Sequence, residues 1–456
     1  MTAPNPQVVA SDPEASAFVT ANAGSGKTST LVARVARVLL RGYRPDAILC
    51  VTYTKAAAAE MQGRLFDTLG RWAVMDDAAL AAELEKIGEA PQNLSYARTL
   101  FARALETPGG LKIQTIHAFC EKLLRRFPLE AGVSPGFAVL EDQAAREVSA
   151  RAREAVAEAA LQDPEGAIGR AYARFAVELD HRAFQDMFAA FEAERPAIEA
   201  YVEACAEQDG VAADVWRRCG FETSEDPEEV RARAVRPPAL DPELWRQGAA
   251  ALGAGSARDQ GCAAQMAQVA EAARAGAADF EAALQVFCTA RGEPAKWVES
   301  AAVLKKQPWL QEALLAERGR LTEAARRARA ARVAADTVAV LTLATAYNAL
   351  YEGEKERRAA LDFADLIWRT RRLLASGAGA TAWVLFKLDG GIDHVLVDEA
   401  QDTAPEQWAI VDALTDEFFS GAGRREAERT AFAVGDEKQS IFSFQGADPR
   451  IFLDEA

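Results

Sequence analysis

The chain has 456 residues, half of them hydrophobic, which is too many for one ordinary domain and enough for two or three cores. A formal charge of −16 excludes a generally sticky basic protein, yet it leaves nucleic acid open, because a channel needs only a local positive stripe, aromatic platforms and helix N-termini. Six scattered cysteines without a C-x-x-C pair, beside three histidines, read as reduced thiols rather than a metal site; with no apolar run near membrane-spanning length and no signal-like N-terminus, the expected setting is cytoplasmic, with no membrane partner.

In chain order, "SAFVT" (16–20) predicts a strand and "KTSTLVARVARVLLRG" (27–42) a helix. "AILCVTYT" (47–54) then predicts a second strand and "KAAAAEMQGRLFDTLG" (55–70) a second helix. Helical spacing continues to about residue 107, "PGG" (108–110) breaks it, and "LKIQTIH" and "AFCEKLLRRF" predict another strand and helix. From about 128 to 355 strand signals vanish and Ala, Glu and Arg recur at helical spacing. The last part of that stretch, Trp309 to Arg358, lacks proline and predicts one or two long helices. Its Arg318, Arg320, Arg326, Arg327, Arg329 and Arg332 read first as a solvated basic face and second as a DNA-contacting stripe. Strands return at "HVLVDEA" (394–400) and "TAFAVGDE" (430–437), around the helical "PEQWAIVDALTDEFFS". The pattern predicts one discontinuous α/β domain with a parallel sheet, interrupted by an all-helical insertion.

Three stretches carry chemistry. In "ANAGSGKTST" (21–30) the backbone of Ala23, Gly24, Ser25, Gly26, Lys27 and Thr28 suits a phosphate cradle, because Gly24 and Gly26 permit the dihedrals that turn successive N–H groups inward. Lys27 is placed to meet the β and γ phosphates, Thr28 to offer its hydroxyl to Mg²⁺, and Ser29 follows in the first turn of a helix whose dipole favours anions. "VLVDEAQD" (395–402) sets Asp398 and Glu399 at a strand end; Asp398 suits the Mg²⁺ shell, and Glu399 suits polarising the water that attacks the γ phosphate. "VGDEKQSIFSFQGAD" (434–448) offers Gln439 as a neutral γ-phosphate sensor. Phe442 and Phe444, two apart just beyond, read by themselves as core residues.

The ordered set of these stretches, with "CVTYTKAAAAEM" (50–61) and "IQTIHAFC" (113–120) between them, resembles the N-terminal part of superfamily 1 DNA helicases of the UvrD, Rep and RecB kind. Within that family it is most similar to AddA-type helicase–nuclease subunits of bacterial double-strand break repair, in which the leading Ala21 is an ordinary form of the phosphate loop. The resemblance implies a P-loop NTPase (RecA-like) motor domain, called 1A, over 1–127 and 356–456, with a 1B-like helical insertion over 128–355. It implies ATP and Mg²⁺ as cofactors, single-stranded and duplex-end DNA as partners, and an AddB-type partner subunit. Gln7 falls at the Q motif that reads the adenine edge. Thr52, Tyr53 and Thr54 fall in a motif that touches the single strand, with Thr54 also a helix N-cap. Thr115 and His117 match the "TFH"-like DNA-contact motif, and Phe442 and Phe444 align with the aromatic pair that stacks on bases. "LDFADLI" (361–367) resembles the segment of re-entry into the motor domain, its acidic residues structural; His181 and His394 are read as structural too.

Ser443 and Gln445 stand where many relatives carry arginines, which puts charged coupling from that motif in question. The chain stops at "IFLDEA", before any second motor domain, arginine finger or nuclease domain, so the 456-residue chain is expected to bind nucleotide and single strands while hydrolysing little. Two other readings remain: a non-catalytic nucleotide-dependent DNA-binding or scaffold subunit that docks a partner through the helical part, and a phosphate-loop ATPase that is not a helicase.

Overall fold

The computed structural model describes residues 5–20, 22, 26–289, 293–375, 383–384, 387, 391–419 and 429–436. Two compact units account for the chain, Met1–Glu147 with Lys355–Ala456, and Val148–Glu354.

The first unit is α/β. It runs α1 (Pro6–Ala10), β1 (Ala17–Thr20), α2 (Lys27–Leu40), β2 (Ile48–Thr52), α3 (Lys55–Val74), α4 (Asp77–Lys86), α5 (Leu94–Leu105), β3 (Lys112–Thr115), α6 (Ile116–Arg126) and β4 (Ala138–Val139). After the helical unit, and among the described residues, it resumes with β5 (Ala360–Leu361), the helix Phe363–Ala375, β6 (His394–Val397), the helix Pro405–Phe419 and β7 (Thr430–Gly435). Five strands form one sheet in the order β1-β7-β6-β2-β3, all parallel. Parallel neighbours cannot be joined by tight turns, so the connections cross over as helices and cover both faces. The central strands are accordingly mostly apolar, and all of β2 and β6 is buried. Alternation sorts their side chains: Cys50 and Leu396 face a core with Leu31, Leu65 and Trp72, whereas Val51, Val395 and Val397 face one with Phe119, Leu366 and Trp408.

Local signals explain where elements begin. Thr54 caps α3, its Oγ1 accepting from the Ala57 N–H at 3.0 Å, as the sequence predicts. Thr115 caps α6 in the same way at 3.2 Å, so β3 ends there and His117 lies in the first turn of a helix, not on the strand that "LKIQTIH" predicts. Two short features escape the sequence pattern. Gln7 sits on the five-residue α1 rather than in a loop, and Ala138–Val139 pairs in parallel with Ala360–Leu361 inside the stretch where no strand is expected.

The second unit is helical: the later part of α7 (Asp142–Gln162), then α8 (Ala167–Glu178), α9 (His181–Ala193), α10 (Arg195–Ala206), α11 (Val211–Arg218), α12 (Pro227–Val235), α13 (Pro242–Leu252), α14 (Ala257–Arg274), α15 (Phe280–Phe287), α16 (Trp297–Ser300) and most of α17 (Pro308–Arg357). The helices Phe363–Ala375 and Pro405–Phe419 of the first unit are thus α18 and α19. Trp245, Phe287 and Trp297 build the centre of a core here, Phe287 and Trp297 stacked at 5.7 Å. The Trp245 indole donates to Glu317 Oε1 at 2.8 Å, which satisfies a fully buried N–H.

The expectation that no apolar run approaches membrane-spanning length is corrected by α17. This 50-residue helix contains an 18-residue window long and apolar enough to cross a membrane by length and composition alone. Its Ala-, Val- and Thr-rich composition is also that of a core helix, and the same region bonds polar groups to neighbouring helices: the Tyr347 hydroxyl to Glu192 and Ser149, and Asp336 to Arg174.

Candidate functional site

In a parallel sheet the C-terminal strand ends collect the loops that follow them. Register brings Thr20 beside Gly435, Val397 beside Val51 and Ala433, and Thr52 beside Thr115. The loops that follow β1, β2, β3, β6 and β7 therefore start from one edge.

At that edge Gly26 opens α2 with φ of 87°, in the left-handed region that glycine enters without strain. Its carbonyl accepts from the Thr30 N–H, the Thr30 hydroxyl and the Ser29 hydroxyl. A Cβ at Gly26 would lie 2.7 Å from Gln7 Nε2 and 2.9 Å from Ser29 Oγ, so glycine is required for space as well as for conformation. Lys27 and Thr28 are half-buried in the first turn and Ser29 is exposed. Ala23, Gly24 and Ser25 lie outside the described residues.

Lys27 Nζ stands 3.1 Å from Glu399 Oε2, an ion pair spanning 372 residues of sequence. Glu399 has φ of 50° and ψ of 49°, a left-handed conformation that costs a side-chain-bearing residue roughly 1–2 kcal/mol. Several bonds hold it there. The Glu399 N–H donates to Asp398 Oδ1 at 3.0 Å, its carbonyl accepts from the Asp402 N–H, and Gln401 Nε2 donates to its Oε2 at 2.8 Å. Gln401, almost fully buried, turns its other amide atom to the Asp436 N–H at 2.8 Å, just past β7. One side chain thus joins the β6 and β7 loops. Within "VLVDEAQD" nothing distinguishes Gln401; a buried amide two residues after a carboxylate is meaningful only once β7 is its neighbour.

Asp398 is buried, and its N–H extends the ladder to the Val51 carbonyl. Burial, and then the adjacent Glu399 charge, push its carboxyl up to about 6. A carboxylate so disfavoured welcomes a cation, and carboxylate and hydroxyl oxygens such as those of Asp398 and Thr28 are the donors that Mg²⁺ prefers. These residues fit the ion that the phosphate-loop reading implies.

At the other strand ends Thr52 and Thr115, two of the expected DNA-contact residues, stand side by side. Thr52 is buried, its hydroxyl donating to the Thr54 carbonyl at 3.0 Å; Tyr53 is half-buried and Thr54 exposed. Thr115 is buried beneath its cap, and His117 is half-buried, with burial lowering its pKa so that the ring is chiefly neutral near pH 7. The His117 ring meets Phe363 edge-on at 5.2 Å, and Phe363 remains 40% exposed. Phe363 is inconspicuous inside "LDFADLI", and only the contact with His117 marks it. The acidic residues of that stretch are structural: the buried Lys355 amine pairs with both Asp362 and Asp365. Gln439, Phe442, Phe444, Ser443 and Gln445 lie outside the described residues.

His394, read as structural, is buried with Nδ1 2.8 Å from Thr430 Oγ1, and His181 shares a bond with Gln185 on α9. Five arginines of the α17 stripe stand beside carboxylates: Arg318 with Glu299, Arg320 with Glu317, Arg326 with Glu323, Arg327 with Glu225, and Arg332 with Glu178. That arrangement favours the neutralised face over the DNA stripe.

Comparison with known proteins bears on the whole chain. Residues 1–456 match the family described as the UvrD/REP helicase N-terminal domain. The chain is similar to proteins named as the AddA subunit of an ATP-dependent helicase/nuclease. That of Levilactobacillus brevis is 28% identical over 472 residues, covering 96% of this chain and 34% of that protein. Those of Desulforudis audaxviator and Latilactobacillus sakei are 29% and 28% identical, covering 97% and 95% of this chain and 36% and 48% of theirs. The chain thus spans between a third and a half of these curated relatives' length.

Proposed function

The chain belongs to the UvrD/REP helicase N-terminal domain family, and on that premise we propose that it is the N-terminal portion of an ATP-dependent DNA helicase of the AddA helicase/nuclease type. In this reading 1–127 and 356–456 form a RecA-like motor domain and 128–355 a helical insertion. The full-length protein, partnered by a second subunit, translocates 3′ to 5′ on single-stranded DNA during double-strand break repair.

The observation that carries the reading is the meeting of Lys27 with Glu399 at the C-terminal edge of a parallel sheet. Lys27 neutralises phosphate charge in ATP, the substrate, assisted by the α2 N-terminus. Thr28 and Asp398 would hold Mg²⁺, whose charge offsets that of the phosphates. Glu399 orients water and accepts its proton, and Gln401 fixes the carboxylate that does so. On the DNA side, Tyr53, Thr54 and His117 offer polar groups, and Phe363, against His117, an exposed ring.

Titration calorimetry of the 456-residue chain with ATP and Mg²⁺ tests this. Lys27→Ala should weaken ATP about ten-fold or more, the share of a charge-assisted hydrogen bond to phosphate. Unchanged ATP affinity in that variant would sink the nucleotide reading.

A further inference from the structure

Helix α1 has five residues and fully buries none of them, so neither helix propagation nor a core of its own suffices to hold it in place. What holds it is α2. Arg34, Arg37 and Arg41, spaced to share a helix face, reach the segment 8–15. Arg37 Nη1 donates to the Val8 carbonyl at 2.7 Å and the Ser11 hydroxyl at 2.9 Å, while its Nε donates to Glu89 Oε1 at 2.8 Å. Arg37 and Glu89 are both largely buried. On the far side Gly88, with φ of +82°, lets the chain pass so close that a Cβ there would lie 2.3 Å from Val8 Cγ1. Val8 is thus gripped from two directions. Its neighbour Gln7 is exposed, with its amide against Gly26 at the mouth of the phosphate loop.

We propose that Arg37, itself fixed by Glu89, is a positioning residue for nucleotide-base selection: it pins α1 so that the Gln7 amide faces the base of a nucleotide bound at Lys27. This rests on the reading of Gln7 as the adenine-edge contact. Arginine is needed because its planar fork satisfies three acceptors at once, which a lysine ammonium on a flexible stem does not reproduce. The placement of Gln7 is therefore set on α2, the same helix that presents Lys27, and base and phosphate recognition share one rigid element.

The test compares ATP, GTP and inorganic tripolyphosphate binding to the 456-residue chain as wild type, Gln7→Ala, Arg37→Lys and Glu89→Gln, with thermal midpoints recorded alongside. Gln7→Ala and Arg37→Lys should each reduce the preference for ATP over GTP by about three- to ten-fold, the worth of one hydrogen bond. Glu89→Gln should move it the same way by less, and tripolyphosphate affinity should hold within about two-fold in all three. A wild-type ATP:GTP ratio in Arg37→Lys, with Gln7→Ala impaired, overturns the positioning role and spares Gln7. Equal weakening of all three ligands in Arg37→Lys also overturns it, since a general structural role predicts that. No effect of Gln7→Ala overturns the Gln7 reading and the inference with it.

Discussion

Helices α2 and α17 both carry a row of arginines, and the fold uses Arg34 on α2 in the opposite way from the exposed arginines of α17. On α17 the guanidinium groups of Arg326, Arg327 and Arg332 lie toward the surface beside carboxylates, those of Arg326 and Arg332 partly on their own helix. Such pairs lose little solvation and gain little energy. On α2, Arg34 is fully buried and bonds almost entirely to uncharged oxygens: the carbonyls of Ala10, Asp12 and Ala15, and the Thr430 hydroxyl. Burial pulls its pKa down to about 10, so it remains a cation at pH 7, packed 4.8 Å over the Phe432 ring. The same residue type at similar helical spacing is a charge balancer in one unit and a structural pin in the other, and burial makes the difference.

Removing the pin should have the largest effect. Arg34→Met leaves backbone carbonyls of the 10–15 segment without their donor in a closed site, and should cost about 3–5 kcal/mol in urea unfolding. A loss no greater than that of a surface substitution would erase the contrast between the helices.

The next effect follows from His394, whose Nδ1 meets the same Thr430 hydroxyl that Arg34 holds. Burial, and then the Arg34 charge, lower its pKa from 6.5 to about 4. Between those values the unfolded chain binds the proton that the folded chain refuses. The stability contributed by the neutral ring is therefore complete above pH 6.5 and is lost as pH falls toward 4, by up to about 3 kcal/mol. The buried Asp398 carboxyl, raised to about 6, contributes an opposite slope below that pH in wild type and His394→Asn alike, so the expected outcome is a difference: in unfolding measured between about pH 7 and pH 4, wild type should lose more stability than His394→Asn.

The smallest effect is expected on α17. Arg326→Ala removes an exposed guanidinium paired with Glu323 three residues away, and should leave both the unfolding midpoint and single-strand affinity where they were. A clear loss of DNA binding would revive the stripe as a nucleic-acid surface and break the comparison from the other side.

Much of the architecture is legible in the chain because its causes are local. Short apolar runs mark β2, β6 and β7, helical spacing marks α3, and Thr54 before an Ala-rich run marks a cap. Cys50 and Cys120, read as reduced thiols, are buried, and burial raises both thiol pKa values. The site is legible only in part. Lys27, Asp398 and Glu399 stand out because glycines and paired carboxylates at strand ends are unusual patterns. Gln401, Phe363 and Arg37 look ordinary in sequence, and each takes its meaning from a neighbour elsewhere in the chain: Asp436, His117 and Val8.

The sequence by itself determined the succession of strands and helices, the helical middle, and the placement of the motifs at strand ends, all from hydrophobic period, capping and turn chemistry within a few residues. Only the tertiary structure decided that β1, β7, β6, β2 and β3 lie in that order, that Lys27 therefore meets Glu399, and that Arg34 is buried while Arg326 is not. Strand adjacency and desolvation are set by whatever packs against a residue, and in a sheet assembled from both ends of the chain those neighbours lie hundreds of residues away.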